Sequence, residues 1–404
     1  MKILHIIDRM EPARGGTCQA VRSIISGLAE FQHSNEVLCL DAPDNQFHVQ
    51  DSFRIHALGP ANNPLSYSIK IKPWLQVNLE KFDIIISHGL WQYPGYAAFS
   101  LWKRITKQRG TKDNYKIKFF VMPHGMLDPY FQIAPGRKFK AIRNKLYWQV
   151  IESKVVNGAD GILFTAEEEL RLASQPFTPY KPNLEAVVGL GVESPPEFTP
   201  KMKNDFTKKC PKLKEDNYLL FLSRVHEKKG IDLLIKAYSK IFKETLKNSK
   251  IVIPKLVIAG PGLDSTYGQQ MVDLIKTLEL PTDIVLFVGM LTGNAKWGAF
   301  YGCESFVLPS HQENFGIALV EALACSKPVL ISNKINIWRE IESAGGGFVA
   351  DDSIEGTENS LARWIALTKQ EKSIIGKKAR YTFEQYFTVS GATEKLSNSI
   401  IVSN

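Results

Sequence analysis

The chain holds only five cysteines in 404 residues and no Cys-x-x-Cys pair. That usage argues against a zinc site and against a disulfide-stapled secreted scaffold, and it suggests reduced thiols packed as small core residues. No apolar run approaches the ~18 residues that a membrane-spanning helix needs. No Asp-x-Asp occurs anywhere, and with no His/Cys ligand spacing either, neither a metal nor a resident cofactor is expected. The N-terminal MKILHIID is too short and too soon polar for a signal peptide, and it reads as a first strand. The expected location is cytoplasmic, with peripheral attachment at the inner face of a membrane as an added expectation. A dinucleotide fingerprint also fails: Gly189-Leu-Gly191 follows a strand, but Ser194 replaces the third glycine and Pro195-Pro196 deny the helix.

What the chain does have is strand–helix alternation from end to end. Strand candidates run over 2–7, 36–40, 82–87, 117–122, 161–165 and 185–190, then over 217–223, 255–260, 283–289, 305–310, 328–332 and 347–350. Their continuous apolar character suits parallel strands covered on both faces. Between the two sets lies 194–216, with four prolines and many lysines, which reads as a linker. The expected architecture is α/β: a Rossmann-like domain over 1–195, a linker over 196–216, a second Rossmann-like domain over 217–380 and a C-terminal helix over 381–404. The parallel sheets are expected to face a central cleft, with functional residues just beyond the strand ends.

Charge is unevenly placed. The net charge is +9, yet residues 101–150 alone carry twelve Lys/Arg (103, 104, 107, 109, 112, 116, 118, 137, 138, 140, 143, 145) against Asp113 and Asp128. Such a segment either meets an anionic partner or is simply a solvated face. Within it, Phe139, Ile142, Leu146, Val150 and Val155 fall near one helical stripe. An aromatic-interleaved basic surface of the nucleic-acid-binding kind is not evident, so no nucleic-acid partner is expected.

Five strand ends carry suggestive chemistry. Gly15-Gly16 directly precede a helix, where bare glycines let a ligand approach backbone amides. Two strands end in His-Gly, at His88 and His124, and either imidazole can donate to an anion or a sugar hydroxyl. Arg224 follows a strand and Lys229 opens the next helix, a spacing that lets both cations converge on one phosphate group. In SHQENFGIALVEALA, Glu313 stands before Asn314-Phe315-Gly316 at a helix start, and Glu321 lies inside the apolar helix. If both were helical they would sit roughly 80° apart around the axis. A carboxylate in so apolar a helix needs a partner with donors, and a ribose diol offers two. The bland alternative is a first-turn acid at 313 and a satisfied core acid at 321.

SRVHEKKG, AGPG (259–262), VGML (288–291) and the Glu-x7-Glu stretch together resemble the retaining glycosyltransferases of family 4, which have the GT-B fold. The resemblance implies that Arg224 and Lys229 hold the diphosphate of a nucleotide-sugar donor and that Glu313 contacts the transferred sugar. It further implies amides near Asn314, Phe315 and Gly316 at the diphosphate, Glu321 on the ribose, and Met290 with its neighbours at the base. Gly16 and His124 match the family's glycine loop and cleft histidine. The implied reaction retains anomeric configuration, the two cations stabilising the leaving diphosphate. UDP-glucose is the favoured donor, and a glycolipid or polysaccharide of the bacterial envelope the expected acceptor. An epimerase on the same fold and a non-catalytic basic membrane adaptor are the competing classes.

Overall fold

Runs of aliphatic and aromatic residues such as KILHI, IIISH and KFFVM form strands that are almost wholly buried, as a sheet with helices on both faces requires. The computed structural model describes residues 1–12, 15–45, 51–61, 63–109, 117–134, 136–246 and 252–402. The chain divides into two compact units, Met1–Gly191 with the terminal segment from Val389, and Val192–Thr388.

In the first unit the strands are β1 (Lys2–Ile6), β2 (Ser34–Cys39), β3 (Arg54–Ala57), β4 (Ile84–His88), β5 (Lys118–Met122), β6 (Gly161–Phe164) and β7 (Glu185–Val187). They form one parallel sheet in the order β3-β2-β1-β4-β5-β6-β7. The second unit holds β8 (Tyr218–Leu222), β9 (Lys255–Ala259), β10 (Val285–Gly289), β11 (Ser305–Leu308), β12 (Val329–Ser332) and β13 (Gly347–Ala350). Their order, β10-β9-β8-β11-β12-β13, repeats that of the first six strands of the first sheet, with no counterpart of β7. In both sheets the winding direction reverses beside the unit's first strand, between β1 and β4 and between β8 and β11. The crevice beyond those carboxyl ends is where such sheets bind ligands.

Three expectations need correction. The segment 196–216 is not an open linker. Pro200 opens the helix Pro200–Lys209, where its missing N–H costs nothing, and a 3-10 turn follows at Pro211–Leu213. Met202 and Phe206 are buried, and the bare Cα of Gly298 lets the helix Gly293–Gly302 press against the Met202 carbonyl. The chain returns to the first unit at Val389 rather than near 381. The helix Lys369–Tyr386, started by a Thr368/Glu371 capping box, stays in the second unit. The helix Val389–Val402 then packs on Gly16–Glu30, with Gly27 allowing close approach of Thr393. Third, Val155 leaves the apolar stripe for the core. A π-turn at Trp148–Glu152 adds a residue and rotates the following face inward. All five cysteines are buried and free.

Candidate active site

At the β8/β11 reversal the structure brings Lys229 and Glu313 together. Lys229 ends a short 3-10 turn after β8, and its Nζ donates to Glu313 Oε2. The next residue, Gly230, has φ 66° and abuts the Pro309 carbonyl just past β11. A Cβ there would force the two strand ends apart, so glycine permits the pairing. Glu313 is tied on its own side as well. Its amide donates to the Lys334 carbonyl at 3.0 Å, and its carbonyl accepts from the Asn336 amide at 2.9 Å. Burial works against the Glu313 carboxylate. The charge and hydrogen bond of Lys229, the charge of Lys228 and the Asn314 amide outweigh it and hold the pKa below the usual carboxylate value.

Glu313 itself lies before the helix, which runs Ile317–Ala324 and is entered through Gly316 at φ 82°. No side chain caps its first amides, so they remain available to an anion. Phe315 is buried and meets Phe387 edge-on at 5.6 Å, which leaves its backbone, not its ring, for a ligand. The Asn314 side chain accepts from Asn336 Nδ2 at 3.1 Å. Arg224 sits exposed on the turn after β8, with no hydrogen bond or ion pair among the described residues. Met290 follows β10 and is 64% exposed.

Glu321 has a partner the sequence did not suggest. Lys296 of the helix Gly293–Gly302 reaches its Oε1 at 2.7 Å. Oε2 has no partner among the described residues. Lys296 lies 25 positions away in sequence, and its neighbour Trp297, over whose ring the ammonium sits at 4.3 Å, was the one available hint.

In the first unit, Gly15 (φ 95°) and Gly16 begin the helix Gly16–Glu30, and a Cβ at either would meet open space. Among the described residues nothing therefore requires their bareness except the left-handed turn at Gly15. His124 follows β5 with φ 51°, a conformation histidine tolerates better than most residues. Its turn is braced by buried Glu169, whose Oε1 accepts from the Gly125 amide at 2.5 Å and whose Oε2 accepts from Thr165 N and Oγ1, each at 2.7 Å. His88 does not lie open at the strand end as expected. It is buried, bonded on one side to His5 and on the other to His124. Burial pushes His5 and His124 down to about 4 and His88 well below its ordinary value, so all three are neutral at pH 7. Nearby, buried Glu152 accepts from the Trp91 amide at 3.1 Å, and burial pushes its carboxyl up to about 7.

Comparison with known proteins bears on the family and the fold. The model for group 1 glycosyl transferases matches residues 202–381, and that for a glycosyl transferase 4-like domain matches residues 15–191. An uncharacterized glycosyltransferase of Methanocaldococcus jannaschii, MJ1607, is 32% identical over 155 residues, 37% of each chain. A D-inositol 3-phosphate glycosyltransferase of Kineococcus radiotolerans is 29% identical over 114 residues, 28% of this chain and 26% of that one. The match thus spans 26% to 37% of the length of these curated relatives. Among solved structures, Anabaena Alr3699/HepE in complex with UDP and glucose superimposes with a TM-score of 0.72 over 99% of both chains at 16% identity. With one model on each unit and the same fold end to end, the chain belongs to the family 4 type of glycosyltransferases with the GT-B fold.

Proposed function

We propose that this chain is a retaining glycosyltransferase that moves a hexose from a nucleoside-diphosphate sugar to a lipid-linked or polysaccharide acceptor in envelope polysaccharide assembly. The observation that carries the reading is the Lys229–Glu313 pair at the β8/β11 reversal, beside uncapped helix amides. A buried ammonium and a dipole-positive helix start are placed to stabilise charge on a departing diphosphate. Arg224, exposed on the same turn and without a partner among the described residues, supplies a planar fork to the same anion. Glu313 takes hydroxyls of the transferred sugar, and the free Oε2 of Glu321 takes the ribose diol. Met290 borders the base. Gly16 and His124 serve hydroxyls of the sugar or the acceptor. UDP and glucose in the Anabaena complex support UDP-glucose as the first donor to try.

The chemistry needs no metal in this reading, because cations of the chain occupy the role of one. The test is release of nucleoside diphosphate from a panel of UDP-, GDP- and ADP-sugars in the presence of EDTA. One donor is expected to turn over at an undiminished rate. Turnover abolished by EDTA and restored by manganese would contradict the assignment of charge stabilisation to Lys229 and Arg224.

The acceptor side rests on a surface. The helix Lys138–Tyr147 exposes Phe139 by 90% and Ile142 and Leu146 by 60% and 64%, with Val150 beyond at 62%. Lys138, Lys140, Arg143 and Lys145 are exposed around them. An apolar stripe left in water and rimmed by cations suits an anionic leaflet, the place where a lipid-linked acceptor is presented. Among the described residues no helix is long and apolar enough to cross a membrane. Lys112 and Lys116 of the basic segment lie outside the described residues, as does the side chain of Arg109. Each basic residue near the leaflet contributes about 1 kcal/mol, screened within a Debye length of ~10 Å at 0.1 M salt. Cosedimentation with anionic vesicles is therefore expected to be strong at low salt and to fall steeply as salt rises. Neutralising the four basic residues together is expected to abolish it and leave UDP affinity unchanged. Equal binding to neutral vesicles, or none at low salt, would return the helix to an ordinary solvated face.

A further inference from the structure

Four adjacent strands carry a continuous line of hydrogen bonds that ends at His124. Asn35 on β2 holds His5 Nε2 at 3.0 Å through Oδ1. His5 Nδ1 on β1 lies 3.0 Å from His88 Nε2 at the end of β4. His88 Nδ1 lies 2.9 Å from Nε2 of His124, just past β5. Ring centroids are 5.3 and 5.2 Å apart with interplanar angles of 23° and 26°. With nitrogens near 3 Å, those values mean near-coplanar rings joined edge to edge. Every link has the same sense, Nδ1 of one ring to Nε2 of the next.

A neutral imidazole has one N–H and one lone pair, so a chain of neutral rings must run in a single direction. Two directions exist, and one atom chooses between them. Asn35 Nδ2 donates to the His33 carbonyl at 2.9 Å. That carbonyl can only accept, so the amide cannot turn without setting oxygen against oxygen. Asn35 therefore presents Oδ1 to His5, and His5 must carry its proton on Nε2. Its Nδ1 is then bare and takes the proton of His88 Nε2. His88 Nδ1 in turn takes that of His124 Nε2. What remains at the end of the line is Nδ1 of His124, which has no partner among the described residues, on a side chain that is only partly buried.

We infer that Asn35 and His5, acting through His88, are positioning residues that hold His124 as the Nε2–H tautomer and so present a bare Nδ1 acceptor to the substrate. The group in front of His124 is accordingly a neutral hydroxyl that donates a hydrogen bond. A phosphate or carboxylate oxygen there would face a lone pair and be repelled. Of the two roles open to a strand-end histidine, donor to an anion or partner of a sugar hydroxyl, the relay leaves the second. The hydroxyl's identity as part of a sugar rests on the glycosyltransfer reading, whereas the tautomer does not.

The test is a long-range 1H–15N correlation spectrum of protein labelled at its eight histidines, with His124 assigned through His124→Asn. At pH 7, His5, His88 and His124 are all expected to carry the proton on Nε2 alone. Asn35→Leu removes the acceptor that sets the direction, and an Nδ1–H population is expected to appear at His124. Losing one neutral hydrogen bond is worth about 3- to 10-fold in kcat/KM, with the Kd for free UDP unchanged because the relay touches no nucleotide group. Asn35→Asp keeps an acceptor toward His5 and, protonated on its other oxygen, still donates to the His33 carbonyl, so it is expected to keep the wild-type tautomers and recover kcat/KM. An Nδ1–H tautomer or an imidazolium at His124 in the wild type would overturn the inference. So would an Asn35→Leu protein whose tautomers and kcat/KM are both unchanged. Failure of every donor to turn over would sink the glycosyltransfer reading instead, with the spectrum still deciding the relay.

Discussion

Lys229→Ala is expected to lower kcat/KM for nucleoside diphosphate release by about 100- to 1000-fold, the usual cost of removing one preorganised group that meets developing charge. The magnitude follows from position. Lys229 is only 8% exposed, so its field at a diphosphate departing there would be weakly screened, whereas exposed Arg224 would act through water. The substitution carries a second signature. Glu313 loses its counter-ion and is left partly buried and unpaired, which costs up to about 3 kcal/mol of stability. The sign of its pH dependence is set. In the wild type the Glu313 pKa is depressed, so its stabilisation is present above the unfolded carboxylate value and is lost as pH falls through the folded one. Without Lys229, only the charge of Lys228 and the Asn314 amide still oppose burial, so that pKa is expected to rise, with a melting-temperature deficit that is greatest near pH 7 and shrinks on acidification. A deficit that is constant with pH, or a kcat/KM within threefold of wild type, would contradict the role.

Glu313→Gln is expected to lower kcat about 10- to 100-fold, the worth of a hydrogen bond to a charged acceptor, without weakening free nucleoside diphosphate. The ion pair sharpens this expectation. On the proposed reading Glu313 competes with the diphosphate for Lys229, so removing its charge is expected to free the ammonium and to leave the Kd for UDP the same or lower. Glu321→Gln acts in the opposite sense. The ribose is present in donor and product alike, so UDP itself is expected to bind more weakly. Titration calorimetry of the two variants checks the contrast, and equal weakening in both would show that the carboxylates do not divide sugar from ribose.

Much of this was legible because continuous apolar runs bounded by glycine have few alternatives to buried parallel strands, and strand ends in such sheets are where ligands go. The edge strand β3 was missed because RIHA is only partly buried, and so lacks the apolar continuity by which its neighbours were recognised. The linker was misread because Pro200 looks like a breaker when it is an N-terminal helix residue. The ~80° placement of the two glutamates did not apply, since Glu313 lies before the helix and is held by Lys334 and Asn336. Pairings across long sequence separations were the least legible. Lys229 and Glu313 could each be singled out by motif, yet their contact depends on Gly230 meeting Pro309. Lys296 with Glu321, and Asn35 and His5 behind His88, have no motif at all. His5 reads as one more interior strand residue until the register of β1 beside β4 sets it next to His88.

The central claim is transfer with retention from a nucleotide sugar, and the anomeric proton signals of the released sugar test it most directly. Protein at near-stoichiometric concentration is mixed with the donor that turned over in the panel, water serves as acceptor, and spectra are taken before mutarotation. The expected result is free nucleoside diphosphate in equal amount to a sugar that first appears with the donor's own anomeric configuration. First appearance of the opposite anomer, or epimerised nucleotide sugar with no free nucleoside diphosphate, would contradict the account.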